Sequence, residues 1–173
     1  MERIYLILVL ISMVTVFTLV IGWTRRDGEL PATVSDMAYG HESKARRLLY
    51  TLWLWVATFT LTPALFDIMP DEWEGLAHVY ATSMVIAGLL PMVRKNRDLW
   101  FTISGLAGGV FSQCCVCIIC PWWMLVWTHL AALMIFSDNG DSIPCWIHRK
   151  GVFLAEFVSW FCLAAALLTK LII

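Results

Sequence analysis

Cys114, Cys115, Cys117 and Cys120 crowd one short stretch, and His78, His129 and Glu156 interrupt runs that are otherwise apolar. These are the side chains whose types and spacing could do chemistry. Cys114-x-x-Cys117-x-x-Cys120 sets three thiols along one helical face. Thiolates so spaced suit Zn²⁺, Cu(I) or disulfide exchange. A structural zinc site needs two cysteine pairs separated by a folded loop, and no second pair follows. Cysteine is also a small hydrophobe that packs readily in apolar surroundings. The expectation is no cofactor and no metal, with Cys114, Cys117 and Cys120 the thiols spaced for one. A disulfide at Cys120 stays open in an oxidising compartment.

Ionisable groups at membrane depth are costly and default to a functional reading. His78 has Glu74 and Thr82 four residues to either side, on its own helical face. A carboxylate there would fix the imidazole tautomer, making a base, a ligand or a pH sensor. The plainer reading is a boundary histidine bonded to Glu74 and water. His129, beside Trp127 and Thr128, needs a partner on another helix, because a neutral ring carries a donor and an acceptor. Gln113, Ser112 or a group of the last span are the candidates. Glu156 either snorkels toward Arg149 or Lys150 or faces the bundle interior as a cation or proton site.

The elements that must position these groups are long apolar helices. Sixty per cent of the 173 residues are hydrophobic, and the mean hydropathy is +0.76. A span takes roughly 20 apolar residues, and unpaired backbone in hydrocarbon forces helices or closed barrels. Six spans are expected, at about 4–23, 48–66, 73–93, 99–120, 121–137 and 151–172. No charge occurs from Leu99 to Ser137, about 58 Å as one helix, so the run must fold back, with Cys120-Pro121-Trp122-Trp123 as the hinge. The expected fold is all-α: one transmembrane domain of six helices over residues 1–173, with short loops and no soluble domain. The first apolar run is longer than a secretory h-region and lacks a small-x-small cleavage site, so it reads as a retained helix. Trp23, Trp73, Trp100, Trp122, Trp123 and Trp146 fall near span ends, as an interfacial belt requires.

Orientation follows from the basic residues. Loops one, three and five hold ten of them, including Arg94, Lys95, Arg97 and Arg149, against Arg3 and Lys170 on the other side. Both termini are expected outside the cytoplasm of a bacterial-type inner membrane. The outer loop then carries Asp67, Asp71, Glu72 and Glu74 and no base. A net charge of −1 and the lack of a basic, aromatic-interleaved run argue against nucleic acid as a partner. Ser104, Gly108 and Ser112 recur every fourth residue in the fourth span, a small-residue seam for close helix packing or for pairing with a second copy.

Pro31-Ala32-Thr33-Val34-Ser35-Asp36 after the first span, and Asp67-Ile68-Met69-Pro70-Asp71-Glu72 leading to His78, carry a resemblance. Over about residues 1–100 the chain resembles the six-helix Frag/DRAM/Sfk-like membrane proteins and related bacterial families of unknown function. The resemblance implies roles for Ser35, Asp36, Asp71 and His78, and lipid-linked functions as in eukaryotic members. Those relatives place the first loop outside, whereas the charge count here places it in the cytoplasm.

The functional expectation is a non-enzymatic bundle that binds or passes a small or lipidic ligand, with membrane lipid as its surroundings. The ligand would enter by an acidic outer mouth at Asp67, Asp71, Glu72 and Glu74, with His78 below, a cluster that would concentrate cations. His129 and Glu156 are further ligand-binding candidates. The alternatives are a lipid-modifying enzyme using His78 with Asp67 or Asp71, and a scaffold or accessory subunit.

Overall fold

The computed structural model describes residues 2–28, 30–31, 33–39, 43–93, 99–137 and 150–173. These form helices α1 (Glu2–Asp27), α2 (Val34–Tyr39), α3 (Lys44–Ile68), α4 (Glu74–Val93), α5 (Leu99–Ile119), α6 (Pro121–Ser137) and α7 (Gly151–Ile172), with a 3₁₀ turn at Asp71–Trp73 before α4. No strand occurs among the described residues. Five helices, α1, α3, α4 with its turn, α5 and α7, are long and apolar enough to cross a membrane. α6 has 17 residues. Arg94, Lys95, Arg97, Arg149 and Trp146 lie outside the described residues.

The chain breaks at Cys120, between the end of α5 and Pro121 at the first position of α6. Proline suits that position because the first helical N–H has no intrahelical acceptor to lose. α6 then runs back beside α7, with Trp123 Nε1 donating to Thr169 Oγ1 at 2.9 Å and Trp127 Nε1 to Ala155 O at 3.3 Å.

α1, α3, α4, α5 and α7 each touch the next, and α7 returns to α1, closing a ring; α6 lies outside it against α7 and α5. Between lipid and protein there is no hydrophobic gain in joining apolar helices, so close packing and polar pins must hold the ring. Ser12 Oγ donates across to Ala57 O at 2.6 Å, linking α1 to α3. Thr51 Oγ1 reaches Gly88 O at 2.6 Å, linking α3 to α4. Gly88 is there because Trp55 lies across it: a Cβ would stand 2.5 Å from Trp55 Nε1, which donates to Val85 O at 3.1 Å. Inside α3, Pro63 removes the N–H that Phe59 O would accept, and Thr62 Oγ1 donates to that carbonyl instead, at 3.3 Å.

The half of the ring nearest the Asp67–Glu74 connection is solid, filled by Val9, Leu61, Leu65, Val116, Leu163 and Leu167. At the other end, the segment expected to be only loop contains α2, which packs on α3 and α7 and buries Met37 and Ala38. Beside it, Arg46 grips Asp27 with two hydrogen bonds, at 2.6 and 3.0 Å, and covers the Trp23 ring at 5.6 Å. Trp23 is therefore buried, while Trp73, Trp100 and Trp122 are exposed.

Candidate ligand cavity

Under α2 the ring is hollow. A cavity of about 140 Å³ lies between α1, α3, α4, α5 and α7, with Met37 and Val34 of α2 in its roof. Its wall is mostly apolar: Tyr50, Trp53 and Leu54 from α3, Met84 from α4, Phe101 from α5 and Phe153 from α7. Glycines on α5 keep it open. At Gly105 and Gly109 an added Cβ would meet nothing within 4 Å, whereas at Gly108 it would stand 2.5 Å from Met84 Sδ.

The floor is polar. Gln113 Nε2 donates to Ser159 Oγ at 2.6 Å and to Ser159 O at 2.9 Å, and Ser112 Oγ lies 3.4 Å from Ser159 Oγ. A carbonyl oxygen can only accept, which fixes the Gln113 amide with its nitrogen toward α7. Its Oε1 has no partner among the described residues, nor have the indole Nε1 groups of Trp53 and Trp160, both wall residues. Buried polar atoms left without partners are costly, and such groups call for an explanation.

Glu156 is the charged residue of the wall. Its Oε2 accepts the backbone N–H of Val34 at 2.6 Å, so the first residue of α2 is held by a side chain 122 positions later. α2 is also capped by its own sequence: Thr33 N donates to Asp36 Oδ2 at 2.9 Å, and Asp36 N to Thr33 Oγ1 at 3.3 Å, a reciprocal capping box. The Asp36 carboxylate thus has a structural partner. The side chain of Ser35 lies outside those described.

The residues expected to form an acidic mouth occupy the opposite end of the molecule. Asp71 and Glu72 are exposed in the 3₁₀ turn, and Asp67 Oδ1 accepts a long bond from Tyr5 Oη, 3.5 Å. His78 Nε2 is 3.5 Å from Glu74 Oε1, with the two side chains 64% and 46% exposed, and its ring rests 4.6 Å from Phe66. None of these residues lines the cavity. The packed half of the ring lies between His78 and the hollow half. Glu74, rather than Asp67 or Asp71, is the carboxylate beside the imidazole.

His129 is exposed on α6, and its Nδ1 lies 2.8 Å from Leu125 O of the same helix. The partners expected for it, Gln113 and Ser112, bind Ser159 instead. Cys114 and Cys120 are partly buried, Cys117 is exposed, and all three are free thiols. Among the described residues no three His, Cys, Asp or Glu side chains gather as ligands. Ser104, Gly108 and Ser112 are buried within the chain, Gly108 against Met84 and Ser83. The small-residue seam thus packs within the chain, Gly108 against α4 and Ser112 against α7.

Of the sequence candidates, the structure brings Gly108, Ser112 and Glu156 together at one cavity and leaves the others elsewhere. Sequence reasoning missed Trp53, Trp160 and Gly105. The neighbouring Gly108-Gly109 pair and Gly105 carried a signal, an excess of glycine over what the seam alone needs. No protein-family model, curated protein or solved structure matches this chain.

Proposed function

We propose that the protein is a membrane-embedded binder of a small lipid-like ligand, held in the cavity beneath α2. The observation that carries this reading is a mostly apolar hollow, ringed by five helices, whose lining includes a few polar groups, among them Ser112, Ser159 and the Glu156 carboxylate. Ligand sites are concave and chiefly apolar, with few polar groups to orient the occupant.

In this reading α6 crosses the bilayer as the sixth span, since about 17 residues lie at the short end of the spanning range and α6 runs back along α7. The positive-inside rule then sets the α2 end in the cytoplasm and both termini outside a bacterial inner membrane. The lipid-linked roles implied by the Frag/DRAM/Sfk-like resemblance accord with such a ligand.

Native mass spectrometry of the protein released from lipid nanodiscs tests the reading. The wild type should carry a small lipid-like adduct that Gly109→Leu loses, because a side chain there grows into open space. An adduct unchanged by Gly109→Leu, or a wild type that takes up no lipid-like probe, overturns it.

A further inference from the structure

On the outside of the ring α1 and α3 part company. Ser12 Oγ, donating to Ala57 O at 2.6 Å, draws the two helices together near the middle of α1. Past that pin a groove opens between Thr15, Thr18 and Leu19 of α1 and the exposed Leu49, Leu52 and Val56 of α3. Thr15 Oγ1 donates to Ile11 O at 2.8 Å and Thr18 Oγ1 to Val14 O at 2.7 Å. Both hydroxyls are thus satisfied within their own helix, and the groove offers hydrocarbon. Gly22 and Arg26 continue the same face of α1, seven and eleven residues past Thr15. At Gly22 an added Cβ would meet nothing within 4 Å, so the helix leaves open space between Leu19 and Arg26. Arg25 and Arg26 are exposed in the last turn of α1, and Lys44 is exposed at the first position of α3. Asp27, the next residue, is gripped by Arg46, which offsets its charge.

We infer that this groove holds an acyl chain of an anionic phospholipid, with its phosphate head at Arg25 and Arg26. From Thr15 to Arg26 is eleven residues, about 17 Å along the helix, close to half of a hydrocarbon core about 30 Å thick. The groove therefore has the length of one leaflet, from the pin at mid-helix to the basic turn. A partner helix would pack across both leaflets, whereas the Ser12 pin closes this groove after one. Guanidinium groups bind phosphate oxygens through paired N–H donors, and basic clusters beside membrane helices attract anionic headgroups. A phosphatidylcholine head brings its own cation to the same place and gains less. Val16 and Val20 of α1 face the central cavity, whereas Thr15, Thr18 and Leu19 face the groove, so the two sites answer to different substitutions.

The test uses the full chain, stripped of lipid in a neutral detergent and titrated with dioleoylphosphatidylglycerol or dioleoylphosphatidylcholine, with native mass spectrometry as the readout. The first phosphatidylglycerol should bind about tenfold more tightly than the first phosphatidylcholine, as two basic side chains at one anionic head would give. Arg25→Gln combined with Arg26→Gln should bring the two lipids to equal affinity, and the paired lysine substitutions should keep most of the preference. Gly22→Phe, which sets a ring in the groove, should abolish the tight phosphatidylglycerol site. Gly109→Leu, which fills the central cavity, should leave that site unchanged. Equal affinities in the wild type, or a preference that survives the paired glutamines, overturn the choice of headgroup. A preference lost as fully in Arg3→Gln combined with Lys170→Gln, at the other end of the bundle, reflects net charge alone and overturns it too. Tight binding kept in Gly22→Phe overturns the groove, and binding lost in Gly109→Leu instead moves the lipid to the cavity.

Discussion

Gln113 on α5 and Ser159 on α7 meet through one amide nitrogen, which lies 2.6 Å from the serine hydroxyl and 2.9 Å from its carbonyl. This pairing fastens two neighbouring helices at the floor of the cavity. Interhelical hydrogen bonds in membranes average about 0.6 kcal/mol and reach about 1.7. Gln113→Ala should lower stability toward the upper figure, since two contacts go together. Ser159→Ala should cost less, because the carbonyl contact survives. A double-mutant cycle by thermal denaturation in detergent should find a coupling well above zero; strict additivity would show that the pairing contributes nothing.

Gly88 and Gly108 meet different obstacles at the same distance. A Cβ on Gly88 meets the rigid Trp55 indole, and one on Gly108 meets the flexible Met84 thioether, each at 2.5 Å. Gly88→Ala should therefore destabilise by about 1–3 kcal/mol, the usual range for overpacking. Gly108→Ala should cost distinctly less, because Met84 can swing into the cavity. Equal melting temperatures for the two variants would contradict this ordering.

Arg46 holds Asp27 in a two-point grip at the cavity end of α1 and α3, over the face of Trp23. Lysine offers neither the planar fork nor the same stacking. Arg46→Lys should lose about 1.5–3 kcal/mol, the range for hydrogen bonds to charged groups. Chemical denaturation in mixed micelles would measure it, and a variant as stable as wild type would show the grip to be slack.

α2 depends on two attachments at its first turn, Glu156 and the Thr33–Asp36 box. Asp36→Ala should cost about 1 kcal/mol of local stability, and Glu156→Ala should release the Val34 amide. Hydrogen exchange should accelerate across 34–39 in both variants while α4 is unaffected. Exchange unaltered in Glu156→Ala would mean that the latch does not hold the helix.

His78→Ala should leave the affinity for cavity probes within about twofold of wild type, less than about 0.5 kcal/mol. The imidazole sits outside the ring, against Phe66 and Glu74. A large loss of binding would tie the outer carboxylate cluster back to the ligand.

Long apolar runs made the helices legible: the bounds of α7 and α6 coincide with the expected 151–172 and 121–137, and the break at Cys120-Pro121 follows from an uncharged run too long for one crossing. α2 was hidden because a six-residue helix has too few turns to show a period, although the Thr33-x-x-Asp36 spacing is a capping signal. Local spacing paired Glu74 with His78 correctly, since i,i+4 neighbours are fixed by the helix itself. Long-range partners were not legible. Nothing near Glu156 in sequence points to Val34, and His129 turned to its own Leu125 carbonyl while Gln113 took Ser159. Which end of the ring is hollow depends on how side chains from five helices fill a shared space, and no single helix encodes that.

The latch between Val34 and Glu156 also has a calendar. A ribosome adding roughly 5–20 residues per second delivers positions 122 apart about 6–24 s apart, and positions 19 apart, as Asp27 and Arg46 are, about 1–4 s apart. The Arg46 grip can close while most of the chain is still unmade. α2 must wait, with only its own capping box, until the last spanning helix has begun to arrive. The roof of the cavity is thus fastened late, long after the Arg46 grip.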